Sequence, residues 1–172
     1  MDGRGYKSSF PKIYHKLQYK QSKFKMIQPA NEGHLDEIHN IEKMVFTKPW
    51  TRENIKIDLT LKTNTENWVY LKNQKVAGYI FGWKVMDEFH LNNIAVHIDF
   101  QRRYIGKNLI KHVSARLQKQ DIRRIYLEVS GKNIPGQQLY ESLGFQQNGM
   151  RMDYYEKGEH ALLYHMDLVA ND

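Results

Sequence analysis

"NNIAVHIDFQRRYIGKNLIKHVSARLQ", residues 92–118, joins two hydrophobic periods through a basic turn. The first part continues "EFHLNNIAVHI" and reads as a β-strand, whereas Ile105, Leu109, Ile110, Val113 and Leu117 recur at helical spacing. Arg102 and Arg103 stand just before Gly106, where the helix opens. The first N–H groups of a helix have no intrahelical acceptor, and its dipole favours negative charge there, so a strand, a basic turn and a helix in this order suit a phosphate. Basic residues near a helix start are also ordinary on a solvated surface, and the stretch alone leaves both readings open.

Upstream of this stretch the pattern alternates between helix and strand. "FKMIQP" reads as a short strand; Leu35, Ile38, Ile41 and Val45 share one helical face; Thr51 caps a second helix after "TKPW". "NWVYLKN" and "KVAGYIFGWKV" flank the turn-like "KNQK" as a hairpin. Downstream, "RRIYLEVS" is a strand, "IPGQQLYESLGF" a helix closed by Gly144, and "ALLYHMDL" the last strand. The order β, α, α, β, β, β, α, β, α, β, β predicts a mixed α/β sheet in one layered domain.

Composition narrows the class. The 172 residues suffice for one domain with a proper core. The absence of cysteine excludes disulfide scaffolds and thiolate metal sites. The eight histidines lack the paired spacing of a metal site, so no metal is expected. No apolar run approaches the roughly 20 residues of a membrane span, and the N-terminus lacks the apolar core of a secretion signal, which predicts a cytoplasmic protein. The net charge of +7 is unevenly spread: residues 1–25 hold seven Lys or Arg against one acid, and residues 26–172 hold nineteen basic against eighteen acidic. This predicts a basic arm over 1–25 and a globular domain over 26–172. In the arm, Ser9, Pro11 and the Phe10, Ile13, Tyr14, Leu17 spacing fit a short amphipathic helix that docks on the domain, on a partner or on RNA; a solvated tail fits equally.

The segments "NNIAVHIDFQRRYIGKNLI", "IYLEVSGKN", "QQLYESLGF" and "DYYEKGEHALLYHMDL" resemble, in order, the GNAT superfamily of acetyl-CoA-dependent N-acetyltransferases. Within it they are most similar to the RimI-like group of ribosomal-protein alanine N-acetyltransferases and archaeal N-terminal acetyltransferases. The resemblance spans roughly residues 26–168 and implies the GNAT fold, a mixed, mostly antiparallel sheet of about seven strands flanked by about four helices. It implies acetyl-CoA as cosubstrate and a protein or peptide N-terminus as acceptor. The family's pyrophosphate loop, Q/R-x-x-G-x-G/A, falls on Gln101 to Gly106, with Tyr104 where the first glycine is usual. Backbone N–H groups of Arg102, Arg103, Tyr104, Ile105, Gly106 and Lys107 would then hold the diphosphate, and only a positive φ at residue 104 would strongly demand glycine. Ile94, Ala95 and Val96 would pair with the pantetheine arm as well as fill the core. Asn133 would contact the same arm or serve as a turn residue.

The resemblance also assigns the chemistry. Glu128 is the implied general base. On "IYLEVS" its side chain shares a face with Tyr126 and Ser130, opposite Ile125, Leu127 and Val129, and a cleft on that face would suit it to base work through a water. Tyr140, twelve residues on, is the implied acid that protonates the departing thiolate and lies against the coenzyme. Lys48, Pro49 and Trp50 before the second helix, and Tyr154 and Tyr155 in a loop before the last strand, are the implied walls of the acceptor groove. An α-amine, with pKa near 7.7–8.0, is partly neutral at cellular pH, whereas lysine near 10.4 is mostly charged, so an N-terminal acceptor asks less of the base. Acetylation of lysine or a small amine, and a non-catalytic RNA- or ribosome-binding role through the arm, are the alternatives.

Overall fold

The alternating periods resolve into seven strands and four α-helices in a computed structural model that describes residues 26–61 and 63–168. The expected arm over 1–25, with its Phe10 to Leu17 face, lies outside the described residues. In chain order the elements are β1 (Ile27–Pro29), α1 (Leu35–Val45), α2 (Arg52–Thr60), β2 (Trp68–Lys72), β3 (Lys75–Val85), β4 (Glu88–Val96), α3 (Ile105–Leu117), β5 (Arg124–Ser130), α4 (Ile134–Glu141), β6 (Gln146–Glu156) and β7 (Glu159–Asp167). The sheet runs β1-β2-β3-β4-β5-β7-β6, and only β4 and β5 are parallel neighbours.

Local chemistry accounts for the boundaries. The Thr51 side chain accepts the Asn54 N–H at 3.1 Å and starts α2. Asn73 and Gln74 both take positive φ, the conformation that lets a two-residue turn follow the twist of the β2–β3 hairpin. Gly144, at φ +94°, ends α4. The helices cover opposite faces. Leu35, Ile38, Ile41 and Ile55 from α1 and α2 pack on Tyr79 and Phe81, while Leu109, Ile110 and Val113 from α3 pack on Phe89, Ile125 and Leu127.

One irregularity interrupts the regular pairing of the central strands. In the β3–β4 pair, Phe81 lies opposite Asn93 but Gly82 lies opposite Leu91, so Asn92 is an extra residue in β4. Only glycine fits at 82, because a Cβ there would sit 2.2 Å from the Phe89 ring and 2.6 Å from the His90 carbonyl. The bulge reverses the alternation of the strand. Leu91 joins the core under α3, whereas Ala95 joins the core under α1 and Ile94 and Val96 turn towards α3. Pairing of β4 with β5 covers Glu88 to Leu91 against Arg124 to Leu127 and stops at the bulge. Beyond that point the two strands part.

The stretch around Tyr154 and Tyr155, expected as a loop, is instead the end of β6, and the turn to β7 is only Lys157 and Gly158. Long-range pairing made the difference: β6 zips onto β7, with register shifts at Gln147/Gly149 and Arg151/Glu156. Glu42 of α1 is 1% exposed and holds the face opposite α3 together. Its carboxylate accepts from the Trp50 backbone N–H (2.8 Å), from Asn93 Nδ2 (2.6 Å) and from the Tyr79 hydroxyl. Removing it leaves two buried donors, on Tyr79 and Asn93, and the half-buried Trp50 N–H without this acceptor. Glu42→Ala is expected to lower the unfolding free energy by about 3 kcal/mol in urea titration, well beyond an average core polar substitution.

Candidate active site

The parting of β4 and β5 leaves one side of Ile94, Ala95 and Val96 unpaired by any strand among the described residues, since their other side is bonded to Ile80, Tyr79 and Gly78. That free edge can accept an extended amide-bearing chain. Where β4 ends, Gln101 Nε2 donates to the Val96 carbonyl at 3.1 Å and fixes the turn. The first bond of α3 runs from the Asn108 N–H to the Tyr104 carbonyl, 2.9 Å, so the N–H groups of Ile105, Gly106 and Lys107 precede it and have no backbone acceptor among the described residues. Gly106 allows α3 to sit close to α4, for a Cβ there would lie 3.2 Å from Leu139. The residues fit a coenzyme with an amide-bearing arm and a diphosphate.

Tyr104 departs from the tolerant expectation. It takes φ +60°, ψ +11°, the left-handed conformation that glycine adopts freely, and Arg102 is likewise at φ +59°. The turn therefore does call for glycine, and the tyrosine bears the strain. Its side chain is 74% exposed and points out to solvent rather than into the slot, which leaves the amides free. Arg103 lies over the Phe100 ring at 5.7 Å and Lys72 at 5.9 Å, so two cations flank the turn.

On the opposite face of the sheet, a cavity of about 840 Å³ opens between α2 and the β6–β7 hairpin. Glu128 lines it, on the half-buried face of β5 with Tyr126, as the alternation requires. Arg151 of β6, a residue that sequence reasoning did not single out, places Nη1 3.1 Å from Glu128 Oε1 and stacks over Tyr154 at 5.4 Å. The Tyr140 ring is buried against Phe145 and Tyr164, and its hydroxyl makes no hydrogen bond among the described residues. Burial, with the nearby Tyr155 phenol adding, pushes that hydroxyl well above its usual range, so it stays protonated through neutral pH. Tyr155 is raised too, by its own burial and then by the Glu128 charge, and so feels both candidate groups.

The remaining candidates fall at several places. Trp50 lines the cavity and packs 6.4 Å from Phe81, combining loop packing with the wall. Lys48 Nζ meets Glu156 Oε1 at 2.8 Å, tying the loop before α2 to the β6–β7 tip. Pro49 is exposed and lines no part of the cavity. Asn133 is the N-cap of α4, accepting the Gly136 N–H at 3.0 Å, so its carbonyl serves the turn and its Nδ2 is the atom left for a ligand. Among the described residues, no cluster of metal-binding side chains is present, and no helix is long and apolar enough to cross a membrane.

A splayed parallel pair, a helix N-terminus at its mouth and a cleft on the other face thus converge where β4 and β5 part. The chain belongs to the Acetyltransferase (GNAT) family, which matches residues 35–145. It is 33% identical over 125 residues to the [ribosomal protein bS18]-alanine N-acetyltransferase of Escherichia coli K12, covering 70% of this chain and 80% of that one. A Bacillus subtilis protein to which the same activity is provisionally assigned is 34% identical over 130 residues, covering 75% and 86%. The crystal structure of the Escherichia coli ribosomal-protein-S18-alanine N-acetyltransferase superposes with a TM-score of 0.78 at 28% identity, covering 85% of this chain and 95% of that one. Arabidopsis thaliana NAA60, solved with acetyl-CoA, shares the fold at TM-score 0.74 and 16% identity, covering 83% and 97%.

Strain at residue 104 is testable. Tyr104→Gly is expected to raise stability by about 1 kcal/mol in chemical denaturation, because the left-handed conformation costs a side chain about that much. Coenzyme A affinity measured by calorimetry is expected to stay within about threefold, since ordering a more flexible glycine costs little.

Proposed function

We propose that the enzyme acetylates the α-amine of protein N-termini, with acetyl-CoA as donor and by direct attack. The observation that carries this is the unpaired edge of β4 on one side of the sheet and a cleft holding Glu128 and Tyr155 on the other, which lets a thioester and an amine meet where the strands part. The names of the bacterial relatives support the acceptor class. In this reading Ile94, Ala95 and Val96 pair with the pantetheine arm, the amides from Arg102 to Lys107 hold the diphosphate, and Asn133 Nδ2 contacts the arm. Glu128, through a water, takes the proton from the attacking amine. As the new N–C bond forms and the C–S bond breaks, the thiolate receives the Tyr140 proton. Lys48, Trp50, Tyr154 and Tyr155 bound the acceptor, with Pro49 stiffening the loop.

The site of action in this reading is the cytoplasm, on ribosomal proteins or nascent chains, and residues 1–25 form the arm that provides electrostatic contact with the ribosome or RNA. Deleting residues 1–25 is expected to abolish salt-sensitive RNA binding in filter assays while leaving turnover on short peptides within about twofold.

Labelled acetyl-CoA offered with short peptides, free or blocked at the α-amine, tests the acceptor. Label on free α-amines and not on internal lysines is expected; the reverse would assign a lysine acetyltransferase. Glu128→Gln and Tyr140→Phe are each expected to lower kcat by about 10²-fold or more with coenzyme affinity nearly unchanged. Unaltered rates in both would remove these roles. Because Tyr140 is held above the ordinary tyrosine value near 10, kcat is expected to stay level from about pH 8 to pH 10 rather than fall.

A further inference from the structure

We infer that the far end of the cleft, where Asp58 meets Trp83, is a subsite for a basic side chain, that of the acceptor's second residue. This rests on the reading of the cleft as the acceptor groove. A cavity of about 840 Å³ far exceeds what an amine and a small first side chain occupy, so the chemistry of its remaining wall selects the second side chain.

That wall is acidic and aromatic. Asp58 of α2 is 4% exposed and borders the cavity, with Oδ1 accepting the Trp83 Nε1–H at 3.0 Å. Of the other cavity carboxylates, Glu128 has the Arg151 guanidinium at 3.1 Å and Glu88 lies 3.4 Å from the His90 ring nitrogen. Asp58 is paired with no Lys, Arg or His among the described residues, and burial raises its pKa against only the Trp83 hydrogen bond. A buried carboxylate without a counter-charge is costly, and a cationic guest offsets that cost. Trp83 is 44% exposed and offers a π-face beside the carboxylate, a combination that favours guanidinium or ammonium over a neutral group.

The spacing selects the position. Trp83 lies opposite His90, and His90 opposite Tyr126, with Glu128 two residues further along β5. Two inter-strand steps and two residues of strand put Trp83 about 12 Å from Glu128. One residue of extended backbone and a long side chain cover that distance.

Peptides identical except for Arg, Lys, Gln or Glu at the second residue, assayed with the full chain and with Asp58→Asn, test the subsite. The wild type is expected to favour Arg and Lys over Gln by about tenfold or more in kcat/KM, and to disfavour Glu further. In Asp58→Asn the Arg and Gln peptides are expected to converge to within about threefold, with the Gln peptide little affected and Tm at pH 7 no lower than the wild type's. Equal wild-type rates for Arg and Gln, or a preference that survives Asp58→Asn, would overturn the subsite while leaving N-terminal acetylation intact. Failure to acetylate every peptide would instead defeat the acceptor reading and the subsite with it. Should Asp58→Asn not fold, the wild-type ratio and its expected decline with added salt decide the matter.

Discussion

The extra residue at Asn92 is the constraint on which the remaining architecture depends. A continuous β4 would pair with β5 along its length and close the sheet, leaving no free strand edge between them. One inserted residue ends the pairing after Leu91 and Leu127 and frees the backbone of Ile94 to Val96. The same insertion exchanges the faces of the strand, sending Ala95 to the core beneath α1 and Ile94 and Val96 to the core beneath α3. Both hydrophobic layers are filled because of the bulge. The free edge and the packing thus share one cause, and the lack of space for any side chain at Gly82 locks it in place.

Three buried carboxylates divide the labour around this frame. Glu42 binds α1, the Trp50 loop, β3 and β4 into one unit and so sets one wall of the cleft. On the other side of the molecule, Glu66 joins Trp68, Arg116 and Gln120, each at 2.8 Å, and anchors the end of α3. Its burial alone would raise its pKa, yet those hydrogen bonds and the Arg116 charge hold it below the usual value. Among the described residues the Asp58 carboxylate has only the Trp83 hydrogen bond, and it borders the cavity. Buried charges that complete a network serve the fold, whereas one with spare capacity beside an opening is available to a ligand.

Much of this was legible in the sequence because local patterns control it. The helical faces of Leu35, Ile38 and Ile41 and of Ile105 to Leu117, the Thr51 cap, the "KNQK" turn and the alternation around Glu128 depend on neighbours a few residues away. The bulge was hidden, since "EFHLNNIAVHI" reads as one strand; two adjacent asparagines in mid-strand were the available signal, as asparagine is sparse in strands. Glu42 occupies the apolar stripe of its helix, four residues after Ile38, where a charged residue marks a buried polar contact. Arg151 and Asp58 had none, because their partners lie 23 and 25 residues away and meet them only through tertiary pairing. The identity of Tyr104 was visible but its backbone angle was not, since the required conformation is set by how β4 hands over to α3.

The irregular register of β6 has a consequence beyond the cleft. This strand forms one margin of the sheet, and a straight margin of unpaired amides is a template on which another molecule can zip itself. Slippage at Gln147/Gly149 and Arg151/Glu156, together with the left-handed Asp153, breaks the row of donors and acceptors into short, twisted pieces. The distortions that aim Arg151 and the two tyrosines inward therefore also guard against fibrous self-association.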